Sequence, residues 1–243
     1  MRDQIDIGAI SSPTRIRVAL VALWIAVVIG ALAGLWVYKL RPGTRGELRP
    51  SWPAGSSLPA SADRPTLIMF AHPRCVCTRA SLAELRAVQS RFAGRIATYV
   101  VFMHPAGSAA DWSHTDTWDT ASSLAGVRVL TDTDGHEAER FGATTSGHVV
   151  LYDRSGRLLY SGGITPGRGH EGDSPQLDQL MRLIERETAG AAPGGTPAPT
   201  TPTTPTASTA VPALPAATAP TAAGHQLERP GPVFGCPLRE EQP

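Results

Sequence analysis

Two thiols separated by one residue, Cys75 and Cys77, are the residues of this chain whose types and spacing most directly suggest chemistry. A thiolate is both the nucleophile of disulfide exchange and a ligand for soft metal ions, so a close pair is equipped for either. The segment FAHPRCVCTRASLAEL sets the pair between an apolar run and a helical pattern. At such a junction the free backbone N–H groups and partial positive charge of a helix N-terminus stabilise a thiolate. Arg74, Thr78 and Arg79 make the surroundings polar and electropositive, and His72 and Arg74 either bias the pair toward thiolate or are solvated surface residues. The plainer alternative is two structural cysteines packed as small hydrophobes.

A bridge between Cys75 and Cys77 closes a small ring, which departs from relaxed disulfide geometry and raises the reduction potential. An oxidising or isomerising pair is the expectation. The chain has 3 cysteines, too few for a framework of several bridges, and the third, Cys236, stands near the C-terminus.

The elements around the thiols follow from hydrophobic period. Residues 66–70 (TLIMF) read as a buried strand. Thr78 is a plausible N-cap for a helix whose Leu82, Leu85, Val88 and Phe92 recur at helical spacing before Gly94. Strands are expected at 96–103 and 127–130, helices at 115–124 and 135–141, a hairpin of 148–152 and 157–161 turning at Asp153–Gly156, and a last helix at 174–188. This β-α-β-α-β, short helix, hairpin, helix order predicts an α/β domain over 65–188 in three layers, a central mixed sheet with helices on both faces. If the hairpin is antiparallel, its second strand ends at the same sheet edge as the thiols. The following loop then places Arg168, His170, Glu171 and Asp173 on the rim of the site, or else is a glycine-rich solvated loop.

Beyond the domain, residues 1–17 are an N-terminal segment and 18–38 (VALVALWIAVVIGALAGLWVY) carry no charge. At 1.5 Å per residue, about 21 helical residues rise about 31 Å, enough to cross a bilayer core. The run exceeds the apolar region of a cleaved signal peptide and lacks a convincing small-residue cleavage site, so a single-pass signal anchor is expected. Arg2, Arg15 and Arg17 precede it while Lys39, Arg41, Arg45 and Arg49 follow, so charge does not choose a side. Residues 39–64 have the Pro/Gly/Ser composition of a spacer. The Pro/Thr/Ala tract 189–230 reads as a disordered linker to a tail at 231–243. A net charge of +1 without a basic cluster disfavours nucleic acid as a partner.

With Phe70 ending the strand, Pro73 two positions before Cys75 and the helix at the cysteines, the sequence resembles the thioredoxin-like superfamily. HPRCVCTRASL, FGATTSGHVVLYD, SGGIT with RGHEGD, and the terminal VFGCPL look like the bacterial RedB-type membrane-anchored proteins of that superfamily. The resemblance implies a thiol-disulfide oxidoreductase without a cofactor, acting on protein thiols or a redox partner protein. It further implies Cys75 as the exposed nucleophile and Cys77 as the resolving thiol. The domain is expected on the exported side of the inner (cytoplasmic) membrane by analogy with envelope redox proteins. Two departures stand out: one residue rather than two between the cysteines, and Gly147, followed by His148, where the family has a cis-proline facing the thiols. His148 then approaches the thiols as base or ligand, or simply caps the sheet.

A flexible tether of about 40 residues spans roughly 35 Å, so Cys236 can reach Cys75 to resolve a mixed disulfide, relay electrons or clamp the site, unless it is an incidental tail thiol. Two alternatives to the oxidoreductase remain open. One is a copper-binding or chaperone protein in which Cys75, Cys77 and Cys236 or His148 hold a soft ion. The other is a redox-silent envelope interaction domain.

Overall fold

The computed structural model describes residues 12–189 and 230–239, which form two units, one within 1–42 and one from 43 to the C-terminus. The expected N-terminal segment up to residue 11, the linker residues 190–229 and the tail residues 240–243 lie outside the described residues.

The first unit is helix α1 (Ser12–Leu40), long and apolar enough to cross a membrane by length and composition. Its large apolar side chains are exposed all round. A helix with no polar face cannot bury itself against water, which is the composition a bilayer requires.

The second unit is built on strands β1 (Thr66–Ala71), β2 (Ala97–His104), β3 (Val127–Thr133), β4 (His148–Tyr152) and β5 (Leu158–Gly162), in the spatial order β3-β2-β1-β4-β5. The three strands β1, β2 and β3 are parallel, β4 is antiparallel to β1, and β5 is antiparallel to β4. Every residue of β1 is buried, as suits a central strand covered on both faces. Edge strand β3 runs to Thr133, three residues past its apolar start, because its half-exposed face alternates with polar residues that carry no hydrophobic signal.

One sheet face is covered by α2 (Val76–Phe92), α3 (Asp116–Ser122) and α5 (Pro175–Thr188), whose Leu82, Leu85, Phe92, Ala121, Leu180 and Ile184 join Leu67, Met69 and Val149 in one core. Helix α5 starts cleanly: the Ser174 hydroxyl accepts from Leu177 N at 3.0 Å and Pro175 opens the first turn. Among the described residues, the other face carries only the short α4 (His136–Arg140) as helix. Its remaining cover is Leu58, Trp52 and Leu238, packed with Ile68, Phe70, Phe141 and Tyr152.

That cover corrects one expectation. Residues 43–64 are not a spacer but an ordered strap on the domain. Trp52 N donates to Gly156 O at 2.7 Å, Leu158 N to Pro50 O at 2.8 Å, and Ser57 N to the Glu137 carboxylate at 3.0 Å. The Trp52 ring meets Phe141 and Tyr152 edge-on at 5.1 and 5.2 Å. The physical reason is that the short α4 leaves most of the second face uncovered, and the strap's few apolar side chains close it. The tail packs on the domain as well: Val233 and Leu238 are buried.

Candidate active site: a cluster of three thiols

Strand β1 ends at Ala71 and the chain turns through His72-Pro73-Arg74 into α2, for which Cys75 itself is the extended N-cap residue. Thr78 is therefore not the cap. It lies buried in the first turn, where its hydroxyl donates to His72 O at 2.8 Å. Because that bond uses the only proton of Thr78 Oγ1, the 3.0 Å contact between Thr78 and Ser146 is donated by Ser146. Ser146 Oγ also accepts from His72 N at 2.9 Å, and the Thr115 and Thr117 hydroxyls donate to Pro73 O at 3.0 and 2.8 Å. The turn before the thiols is thus held by four hydroxyls rather than by packing alone.

Cys75 and Cys77 are 5% and 3% exposed, whereas Val76 between them is 68% exposed. The expected exposure of Cys75 is not found, because the C-terminal tail lies over it. Cys75 Sγ stands 3.0 Å from Cys236 Sγ, and the three sulfurs of Cys75, Cys77 and Cys236 all lie within 4.8 Å of one another. Arg168 reaches the tail by donating from Nη1 to Gly235 O. His170, Glu171 and Asp173 on the same loop are exposed, and Gly172 N on that loop donates to Glu84 Oε1 at 2.6 Å.

The thiols are electrostatically unequal. The hydrogen bond from Cys77 holds Cys75 far below the ordinary thiol range, to about 4, assisted by the bond from Cys236 and opposed by burial. The same bond, with burial and the Cys75 charge, pushes Cys77 up. Burial, then the interaction with Cys75, pushes Cys236 up to about 11, partly offset by the Arg168 charge. These opposed shifts favour a single thiolate in the cluster at neutral pH, on Cys75.

The site opens on a groove of about 1070 Å³ lined by His72, Arg74, Cys75, Trp112 and Cys236, among others. The Arg74 guanidinium stacks over Trp112 at 4.6 Å, and His72 meets the same ring edge-on at 5.7 Å. Trp112, Ser146 and Gly235 were not legible as site residues. Ser146 alone carried a faint signal, as the neighbour of Gly147.

Gly147 stands beside β1, its N–H donating to Phe70 O at 2.8 Å. Its φ of +85°, and the 2.7 Å that would separate an added Cβ from Ser81 Oγ, explain glycine there. His148 enters the sheet opposite Phe70, and its Nε2 pairs with Ser161 Oγ at 2.8 Å. It is not a member of the ligand cluster, which among the described residues comprises the three cysteines. Burial, with the Arg45 charge, lowers the His148 pKa to about 4. Below its ordinary value of about 6.5 the unfolded chain takes up a proton that the folded one refuses, so stability falls with pH at about 1.4 kcal/mol per unit down to about pH 4. Urea midpoints measured from pH 7 to 4 are expected to show this loss of about 3 kcal/mol, and His148→Gln to flatten it.

Three parallel strands, an antiparallel hairpin added beside the first of them, and a thiol capping the helix that follows that central strand decide the fold. The chain has a thioredoxin-like fold. No protein-family model and no curated protein sequence matches it. Among solved structures, it is similar to a hypothetical protein from Sinorhizobium meliloti, at 16% identity over 81% of this chain and 97% of that one, with a TM-score of 0.53. A secreted Mycobacterium tuberculosis disulfide oxidoreductase matches at 15% identity over 52% and 84% of the two chains, TM-score 0.36. An exposed lipoprotein thioredoxin of Streptococcus pneumoniae matches at 17% over 51% and 86%, TM-score 0.39. The fold is read from the strand order and from the place of Cys75 at the start of α2, and the chemistry rests on the thiols of this chain.

Proposed function

We propose that this protein is a membrane-anchored thiol-disulfide oxidoreductase with Cys75 as its nucleophile, acting on protein thiols or a redox partner protein on the exported side of the cytoplasmic membrane. The carrying observation is the position of Cys75 at the α2 N-cap with two further sulfurs within 4.8 Å. A thiolate there attacks a disulfide sulfur, and a neighbouring thiol completes the exchange. Cys77 supplies the hydrogen bond that keeps Cys75 ionised, and Cys77 and Cys236 are both near enough to close a disulfide with it. Anchoring rests on α1, and sidedness on the analogy with envelope redox proteins.

The reduced protein is expected to take up glutathione from its disulfide at Cys75, read by mass. Its iodoacetamide reactivity is expected to stay level from pH 8 to pH 6, where an ordinary thiol loses most of its reactivity. Complete inertness to glutathione disulfide overturns the reading. Membrane-impermeant alkylation of intact cells tests the side.

The three-sulfur cluster also favours a second reading, a soft-metal site, since Cys75, Cys77 and Cys236 form a donor set suited to Cu(I). Stoichiometric Cu(I) uptake abolished by Cys75→Ser supports that reading, and absence of uptake removes it.

A further inference from the structure

The tail is held to the domain by its backbone. Gly231 N donates to Ser161 O at 3.0 Å, Gly163 N to Pro232 O at 3.0 Å, and Gly43 N to Val233 O at 2.8 Å. Nearer the thiols, Ser146 N donates to Cys236 O at 2.8 Å and Leu238 N to Thr144 O at 2.9 Å, while Thr145 pairs antiparallel with Pro237. Main-chain pairing of this kind is how an extended peptide is captured whatever its side chains. The approach is close. A Cβ on Gly235 would lie 1.9 Å from Ser146 O, so no other residue passes there without moving the segment.

The result is a cysteine peptide strapped antiparallel to residues 144–146, with its sulfur on the nucleophile. Any other extended segment bringing a cysteine to Cys75 along this edge needs the same backbone groups. The Cys75–Cys77 alternative demands a ring closed across one residue at the first turn of α2, where relaxed disulfide geometry is hard to reach. Cys236 comes from a separate segment and carries no such constraint.

We propose that residues 233–238 are a built-in exchange partner: Cys236, not Cys77, closes the working disulfide with Cys75, and by docking on 144–146 it displaces the substrate, an extended cysteine-bearing protein segment. This rests on the exchange activity proposed above. With the tail undocked, the Cys75 thiolate attacks a protein disulfide, forming a mixed disulfide and releasing one substrate thiolate, which is protonated from solvent. Cys236 then loses its proton and attacks Cys75 Sγ, forming the Cys75–Cys236 bond and releasing the second substrate thiolate. Two electrons pass from the Cys75/Cys236 pair to the substrate disulfide, and the reverse sequence oxidises a substrate dithiol. Tail docking and product release are then a single event.

The test uses the full chain in detergent micelles, reduced, then exposed to glutathione disulfide, quenched with acid and mapped by mass spectrometry. The expected linkage is Cys75–Cys236 in the native protein and in Cys77→Ser. In Cys236→Ser, and in Gly235→Ala with all three thiols intact, the glutathione adduct on Cys75 is expected to persist about tenfold longer or more, as the tethered thiol loses its effective concentration. A native Cys75–Cys77 linkage, with the adduct in Cys236→Ser resolved at the native rate, overturns this inference and leaves the exchange activity standing. Failure of Cys75 to accept glutathione in every form overturns both.

Discussion

Cys75→Ser is expected to lower disulfide exchange by roughly 10³-fold or more, since it removes the only group of the cluster that is ionised at neutral pH. Exchange with a fluorescent glutathione disulfide measures it, and activity within tenfold of native would move the nucleophile elsewhere. Cys77→Ala is expected to act differently. It deletes the hydrogen bond that contributes most to the low pKa of Cys75, so the thiolate becomes scarce at neutral pH. A thiolate of higher pKa is also the stronger nucleophile, with a Brønsted slope of about 0.4–0.5, and a rise of several pKa units then offsets roughly a hundredfold loss in ionised fraction. The two effects nearly cancel at pH 7, so the change appears in the profile. The variant's rate climbs about tenfold per unit from pH 6 to 8 while the native rate is level.

The second large effect concerns stability. A domain beginning at Pro65, where the apolar pattern starts, is expected to lose more than about 5 kcal/mol relative to one beginning at Gly43, which is comparable with the whole stability of a small domain. It discards Leu58, the Trp52 contacts with Phe141 and Tyr152, and the strap's backbone bonds to Gly156 and Leu158. Trp52→Ala alone is expected to cost about 2–4 kcal/mol, since the ring is only partly buried. Urea unfolding of the three proteins measures this series, and equal midpoints would make the strap incidental.

The contrast between strap and sheet explains what was legible in the sequence. TLIMF, the Leu82-Leu85-Val88-Phe92 spacing and the Ser174-Pro175 start carry their structure in side-chain period and capping chemistry, and each element formed within three residues of its expected bounds. The strap and tail have no period. They dock through main-chain N–H and C=O groups and isolated apolar anchors such as Trp52, Val233 and Leu238, so their Pro/Gly-rich composition reads as linker. The vicinal thiols were visible at once because cysteine is rare here, and Cys236 was visible as a thiol. Its seat on Cys75 was not, since Ser146 N and Thr144 O are backbone atoms that any residue would provide. Misassigning the α2 cap to Thr78 has a related cause. The sequence offers a good capping side chain, but its hydroxyl is committed to His72 O.

Ser146 joins two parts of the molecule through separate atoms, its hydroxyl tying the His72 turn to Thr78 and its amide holding the tail at Cys236 O. That amide proton is therefore a clock. Its exchange for deuterium requires the tail to lift while the sheet beneath stays folded, so its protection relative to that of Gly147 N on Phe70 O reports how often Cys75 is uncovered.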